Sequence, residues 1–101
     1  MSVNLGYNRK DTNLARFKQG EYLSPVRPQA FSEIRGEANK MITEFTKMPK
    51  VYYTNTGAEG NEKAIAMART MKGLPNGLVL SRWPSYHGCT SVAMSASGDF
   101  R

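Results

Sequence analysis

Apolar positions recur along this chain with two different periods. From Phe31 the spacing of three and four joins Phe31, Ile34, Ala38, Met41, Ile42 and Phe45 into one stripe, the signature of an amphipathic helix with a core-facing side. Gln29 or Ser32 is suited to start it, Pro49 lies just past its end, and Gly36 inside it costs about 1 kcal/mol relative to Ala. A second helical run extends from Ala58 to Lys72, rich in Ala, Met, Lys and Glu, with Ala64, Ile65, Ala68 and Met71 on one face. Two short runs have no helical period. Val51-Tyr52-Tyr53 and Leu78-Val79-Leu80 read as buried strands, each ahead of a polar loop.

The remaining chain is punctuated by turn and cap signals. Leu5-Gly6-Tyr7-Asn8 reads as a turn, and Asp11 to Gln19 as a short helix closed by Gly20 in a left-handed cap. Ser24-Pro25 and Arg27-Pro28 make an extended connector, and Gly73-Leu74-Pro75-Asn76-Gly77 is a dense breaker cluster. Ser91 to Ser97 has the small residues of a third helix start. The order helix, strand, helix, strand predicts an α/β architecture in which a crossover helix joins parallel strands. Ligands of such sheets sit beyond the carboxyl ends of the strands. Thr54-Ala58 and Ser81-Gly88 both fall at that edge.

The stretch Thr54-Asn55-Thr56-Gly57-Ala58-Glu59 then carries two readings. The first amide hydrogens of a helix lack internal partners, and the helix dipole favours an anion there, so Gly57 and Ala58 could present their amides to a phosphate. Thr56-Gly57-Ala58-Glu59 also matches a capping box, in which Thr56 and Glu59 satisfy such amides with no ligand. The residues alone leave both open.

The loop Ser81 to Thr90 gathers the only Trp, the only His and the only Cys of the chain, with Tyr86. Tyr86 beside an anion-binding helix start could stack on a heteroaromatic ring whose phosphate the helix holds, or it could with Trp83 merely cover the sheet end. No carboxylate lies close to His87 in sequence, which favours a structural histidine over a general base. One His and one Cys do not make a metal site.

Composition narrows the classes further. With 101 residues the chain is limited to one small core, and its 40% hydrophobic and 22% charged content is that of a globular protein. The longest apolar run, Ala64 to Ala68, is far short of the ~20 residues that span a bilayer, so no membrane span is expected. The start MSVNLGYNRK has no secretory signal, and Cys89 alone permits no intrachain disulfide, so the expected compartment is the cytoplasm. The net charge of +6 is spread from Arg9 to Arg101 without a basic run, which argues for solvated surface and against nucleic-acid binding.

Three segments together resemble the class III aminotransferases, enzymes dependent on pyridoxal 5′-phosphate with the aspartate-aminotransferase-like fold. Leu5-Gly6-Tyr7-Asn8 is similar to the family's glycine turn, TNTGAEGNEKAIAMAR to its phosphate-binding turn and helix, and SYHGCT to its ring-stacking loop. The SRWPSYHG form is similar to the subgroup that acts on terminal amines such as taurine or β-alanine with pyruvate as acceptor. The resemblance implies that residues 1–101 are a single fragment of a large domain, with 1–30 a connecting segment and 31–101 the cofactor-phosphate-binding α/β part. It implies that the amides of Gly57 and Ala58 hold the cofactor phosphate, that Tyr86 stacks on the pyridine ring, and that His87 lies beside it. Some members carry Ser where Ala58 stands, so only the amide contact is expected here.

The resemblance also implies what this stretch does not carry. The family's Schiff-base lysine and the acid that pairs with the pyridine nitrogen are expected beyond Arg101, and its small-domain segment before Met1. No lysine from Lys10 to Lys72 lies in a stretch resembling the Schiff-base motif, so no catalytic residue is assigned and the chain alone is expected to be inactive. The complete protein is expected to be a homodimer that passes an amino group from a donor to a keto acid. The competing class is a small basic module that binds an anion or serves a structural purpose, without catalysis.

Overall fold

A computed structural model describes residues 3–23 and 30–98. Its order is α1 (Lys10–Tyr22), α2 (Glu33–Thr46), α3 (Gly57–Lys72) and α4 (Ser91–Ser95). Among the described residues there is no strand. The predicted α/β arrangement, helix-strand-helix-strand with parallel strands, is therefore corrected. Val51-Tyr53 and Leu78-Leu80 run between helices without a ladder, and Leu78 and Leu80 are 95% and 94% exposed. The reason is that apolar, β-branched composition fits a strand to a sheet but does not make one. Each strand's amides and carbonyls need a neighbouring strand to pair with, and among the described residues these two runs form no ladder.

The chain divides into two compact units, Met1–Ala38 and Asn39–Arg101, with the division falling inside α2. In the first unit the Gly6 amide donates to the Val3 carbonyl at 3.0 Å with Gly6 at φ 91°, so the turn centres on Asn4-Leu5, ahead of the expected Leu5-Gly6-Tyr7-Asn8, where Tyr7 and Asn8 only bend. The Asp11 carboxylate sits in the first turn of α1 and accepts from Arg9 Nε at 3.0 Å and from the Thr12 amide at 2.8 Å. Gly20 does not cap α1. It lies inside the helix, which closes at Leu23, whose amide donates to the Gln19 carbonyl at 2.8 Å. Glycine in a helix interior costs only about 1 kcal/mol, so a lone Gly marks an end only when the following residues also break the helix. The predicted proline connector, Ser24-Pro25 and Arg27-Pro28, lies outside the described residues.

Helix α2 begins as Ser32 predicts, its carbonyl accepting the Gly36 amide at 3.0 Å; the other candidate, Gln29, lies outside the described residues. The helix ends at Thr46, followed by Lys47 in a left-handed conformation at φ 59°. Its apolar stripe is not a core face among the described residues: Phe31 is fully exposed ahead of the helix, and Met41 and Phe45 are exposed on it. Periodicity identifies the apolar side of a helix but not what covers it.

Helix α3 is the best-defined element. It closes at Gly73, left-handed at φ 64° and ψ 25°, with the Gly73 amide on Thr70 O at 3.1 Å and the Leu74 amide on Arg69 O at 3.0 Å. That is a Schellman closure, and the breaker cluster supplies it. The chain then turns back: Gly77 N donates to Leu74 O at 2.9 Å, and Arg69 Nε to Gly77 O at 3.0 Å. The apolar face of α3 forms an open groove of about 410 Å³ in which Ala64, Ile65 and Ala68 face Leu74, Leu78 and Val79. The buried apolar side chains among the described residues are Ala93 and Ala96, and buried Gly88 lies against the first of them. The small core thus lies where α4 and its preceding loop meet α3.

Candidate functional site

The site starts from the cap of α3. Thr56 is the N-cap in extended conformation (φ −136°, ψ 156°), and its Oγ1 accepts the Glu59 amide at 3.2 Å. The Glu59 carboxylate reaches back to the Asn55 amide at 3.0 Å, and the Thr54 hydroxyl donates to the Thr56 carbonyl at 3.0 Å. Capping is therefore present, with the Glu59 carboxylate bonding the amide one residue before the N-cap amide that the standard box uses. It consumes the amides of Asn55 and Glu59. The Gly60 amide goes to Thr56 O at 3.1 Å, and the amide hydrogens of Gly57 and Ala58 have no acceptor among the described residues. Capping and anion binding are thus not alternatives here, because they use different donors. A β-carbon built on Gly57 meets nothing within 4 Å, so the space beside those donors is open.

The second cluster reaches the same place through Gly88. At φ +134° this residue is in a conformation few side chains tolerate, and an added β-carbon would lie 2.6 Å from Ala58 Cβ, 2.9 Å from Ala58 Cα and 3.2 Å from Ala93 Cβ. Gly88 is buried between the start of α3 and α4. The chain leading into it carries Tyr86, which is exposed, and His87, which is half-buried. Gly88 therefore lies against Ala58 at the start of α3, the His87 carbonyl is bonded to Asn61 on the same helix, and Tyr86 precedes them in the chain.

The His87 ring is held by a hydroxyl. Its Nε2 lies 3.1 Å from Ser85 Oγ. The Ser85 hydroxyl gives its single proton to the Arg82 carbonyl, so it accepts from the ring, and the His87 proton belongs on Nε2. The His87 amide donates to Ser97 Oγ at 2.9 Å, and that hydroxyl in turn donates to Ala93 O at 2.9 Å. Gly98 closes the loop from below: its amide donates to Ser85 O at 2.9 Å, and a β-carbon there would fall 2.8 Å from Trp83 Cε3. With no sheet among the described residues, Trp83 has no sheet end to cover, and it packs over Gly98 instead.

Two side chains that the sequence reading passed over fasten this loop. Asn61 Nδ2 donates to the His87 carbonyl at 2.5 Å across 26 residues. Glu62 Oε1 accepts the Val92 amide at 2.9 Å and the Ala93 amide at 3.4 Å. The Thr90 hydroxyl and those two amides hold the Glu62 carboxyl below the usual range. Thr90 is the N-cap of α4 but its side chain caps nothing, so the acceptor for the helix start comes from α3. A local signal existed in the five-residue helix with no acidic residue of its own in its first turn. Nothing local pointed to Glu62 as the partner.

Among the described residues there is no group of three or more His, Cys, Asp or Glu that could hold a metal ion, and no helix is long and apolar enough to cross a membrane. Cys89 is exposed.

The chain is similar to several aminotransferases. A taurine–pyruvate aminotransferase of Rhodobacter capsulatus is 37% identical over 103 residues, covering 96% of this chain and 22% of the relative. One of Bilophila wadsworthia is 34% identical over 110 residues, covering 98% of this chain and 23% of the relative. An acetylornithine aminotransferase of Caldanaerobacter subterraneus is 35% identical over 85 residues, covering 80% of this chain and 22% of the relative. The chain thus spans about a fifth of the length of these relatives. No protein-family model and no solved structure matches it.

Proposed function

We infer that this chain, a homologue of the class III aminotransferases over nearly its whole length, supplies the phosphate-and-ring part of a pyridoxal 5′-phosphate site in a longer enzyme. The observation that carries the reading is the seating of Gly88 on Ala58, because it joins the open amides at the start of α3 to the Tyr86-His87 loop. Pyridoxal phosphate, when bound, supplies the electron sink through which an amino group passes from a donor to a keto acid.

The roles of the chain's own residues follow from their chemistry. The amides of Gly57 and Ala58 donate to the phosphate, with the dipole of α3, a helix of 16 residues, adding to the attraction. Tyr86, exposed in the loop that leads into Gly88, is the residue that stacks on the pyridine. His87 shapes the pocket edge. Its Nε2 proton is committed to Ser85, so that atom is not available as a base. No residue of this chain is assigned a proton-transfer step, and the 101-residue polypeptide alone does not transfer amino groups.

The relatives' names support pyruvate as the acceptor and a terminal amine or amino acid as the donor. The same reading includes a homodimer of the complete protein in the cytoplasm. The test is a titration of the complete protein with pyridoxal phosphate, unsubstituted and as Gly57→Leu. A β-carbon at Gly57 meets no protein atom within 4 Å, so the side chain enters the open space in front of the two amides and the loss is expected to fall on the ligand. Equal affinity in the two proteins favours the competing reading, a basic module whose helix start is merely capped.

A further inference from the structure

We propose that Asn61 and Glu62 are positioning residues, a two-point clamp that holds the backbone of the Tyr86-His87 loop at a fixed height over the start of α3. The proposal rests on the cofactor reading above, since what the clamp sets is the distance between a phosphate at Gly57 and Ala58 and a ring against Tyr86. Asn61 grips the loop on one side of Gly88 through His87 O, at 2.5 Å. Glu62 grips it on the other through the amides of Val92 and Ala93, at 2.9 and 3.4 Å.

Three features give the pair this task. Both side chains address backbone atoms, so they fix where the loop runs whatever its side chains are. Both spring from adjacent positions of α3, the helix whose first two amides face the phosphate space, so cradle and clamp move as one body. And α4 has five residues and no side-chain cap of its own, so its orphan amides depend on Glu62. Between the two grips the chain is held at Gly88 by backbone packing. Gly88 touches Ala58 without a side chain, and Cys89 is exposed.

The clamp predicts a separation that a general stabilising role does not. In the complete protein, Glu62→Ala leaves the Gly57 and Ala58 amides in place but frees the loop. Affinity for inorganic phosphate, which needs the cradle alone, stays unchanged. Affinity for pyridoxal phosphate, which needs cradle and ring together, falls by about tenfold, the weight of one hydrogen bond to a charged group. Amide hydrogen exchange quickens at Gly88, Val92 and Ala93 and not in the middle of α3. Glu62→Gln keeps an acceptor oxygen and restores most of both effects. Asn61→Ala, which removes one bond and no charge, shows the same pattern and serves where Glu62→Ala does not fold.

Equal loss of phosphate and pyridoxal phosphate in these variants, or loss of neither, overturns the clamp. If the unsubstituted protein binds no pyridoxal phosphate, the cofactor reading falls and the positioning role with it. The exchange rates at Val92 and Ala93 then still report whether Glu62 holds α4, which separates the two failures.

Discussion

Gly88 and Ala58, 30 positions apart in the chain, touch so closely that a β-carbon on Gly88 would lie 2.6 Å from the Ala58 Cβ. The contact exists because Gly88 alone can adopt φ +134° with no side chain in the way. Gly88→Ala therefore meets two penalties, a strained backbone and an overlap with Ala58 Cα. Each such penalty is about 1–3 kcal/mol, so a loss of about 2–6 kcal/mol is expected in a urea unfolding experiment on the complete protein. A variant as stable as the parent would mean that the loop does not sit on α3.

Gly57→Leu is expected to leave folding intact and to weaken pyridoxal phosphate by about a hundredfold, since it obstructs the approach to two amides that bond an ionised group. Isothermal titration of the complete protein reads both the affinity and, from its phosphate-only control, the site of the loss.

Tyr86→Ala is expected to speed cofactor release by about three- to tenfold, the weight of one aromatic stacking contact. Retention is read from the absorbance left on the protein after gel filtration. Normal retention would remove Tyr86 from the site.

The Glu62 carboxyl titrates below its ordinary range in the folded chain because the Thr90 hydroxyl beside it, and the Val92 and Ala93 amides that bond it, favour its ionised form. Its folded pKa is depressed, so its contribution to stability is present above the unfolded carboxylate range and is lost as the pH falls through that range to the folded value. Protection of Val92 and Ala93, measured against the intrinsic exchange rate at each pH, should fall on acidification in the parent. In Glu62→Gln that part of the pH dependence is absent.

What the sequence made legible was local. Thr56 and Glu59 are three positions apart and meet on any helix start, and Gly73 caps α3 because Leu74-Pro75 cannot continue it, so cap and closure could be read without a fold. The contacts that gather the site were not legible, because Asn61 meets His87 across 26 residues and Glu62 meets Val92 across 30. The same limit explains two of the corrections. Leu78 and Leu80 have the composition of a strand, but a ladder is a relation to another segment. Met41 and Phe45 mark a face whose cover the periodicity does not name.

Those exposed side chains carry a further expectation. The buried apolar side chains among the described residues are Ala93 and Ala96, and burial of so little apolar surface offsets little chain entropy. The 101-residue polypeptide alone should show no sharp cooperative heat-absorption peak in calorimetry, while the complete protein should.

The most direct test of the cofactor site follows the Gly57 and Ala58 amides themselves. In the complete protein labelled with nitrogen-15 at glycine and alanine, pyridoxal phosphate is added and the amide resonances are followed. The account predicts that Gly57 and Ala58 shift most, that inorganic phosphate shifts the same two, and that Gly88 responds to pyridoxal phosphate alone. Gly57 and Ala58 signals that stay in place while the protein binds its cofactor elsewhere would contradict it.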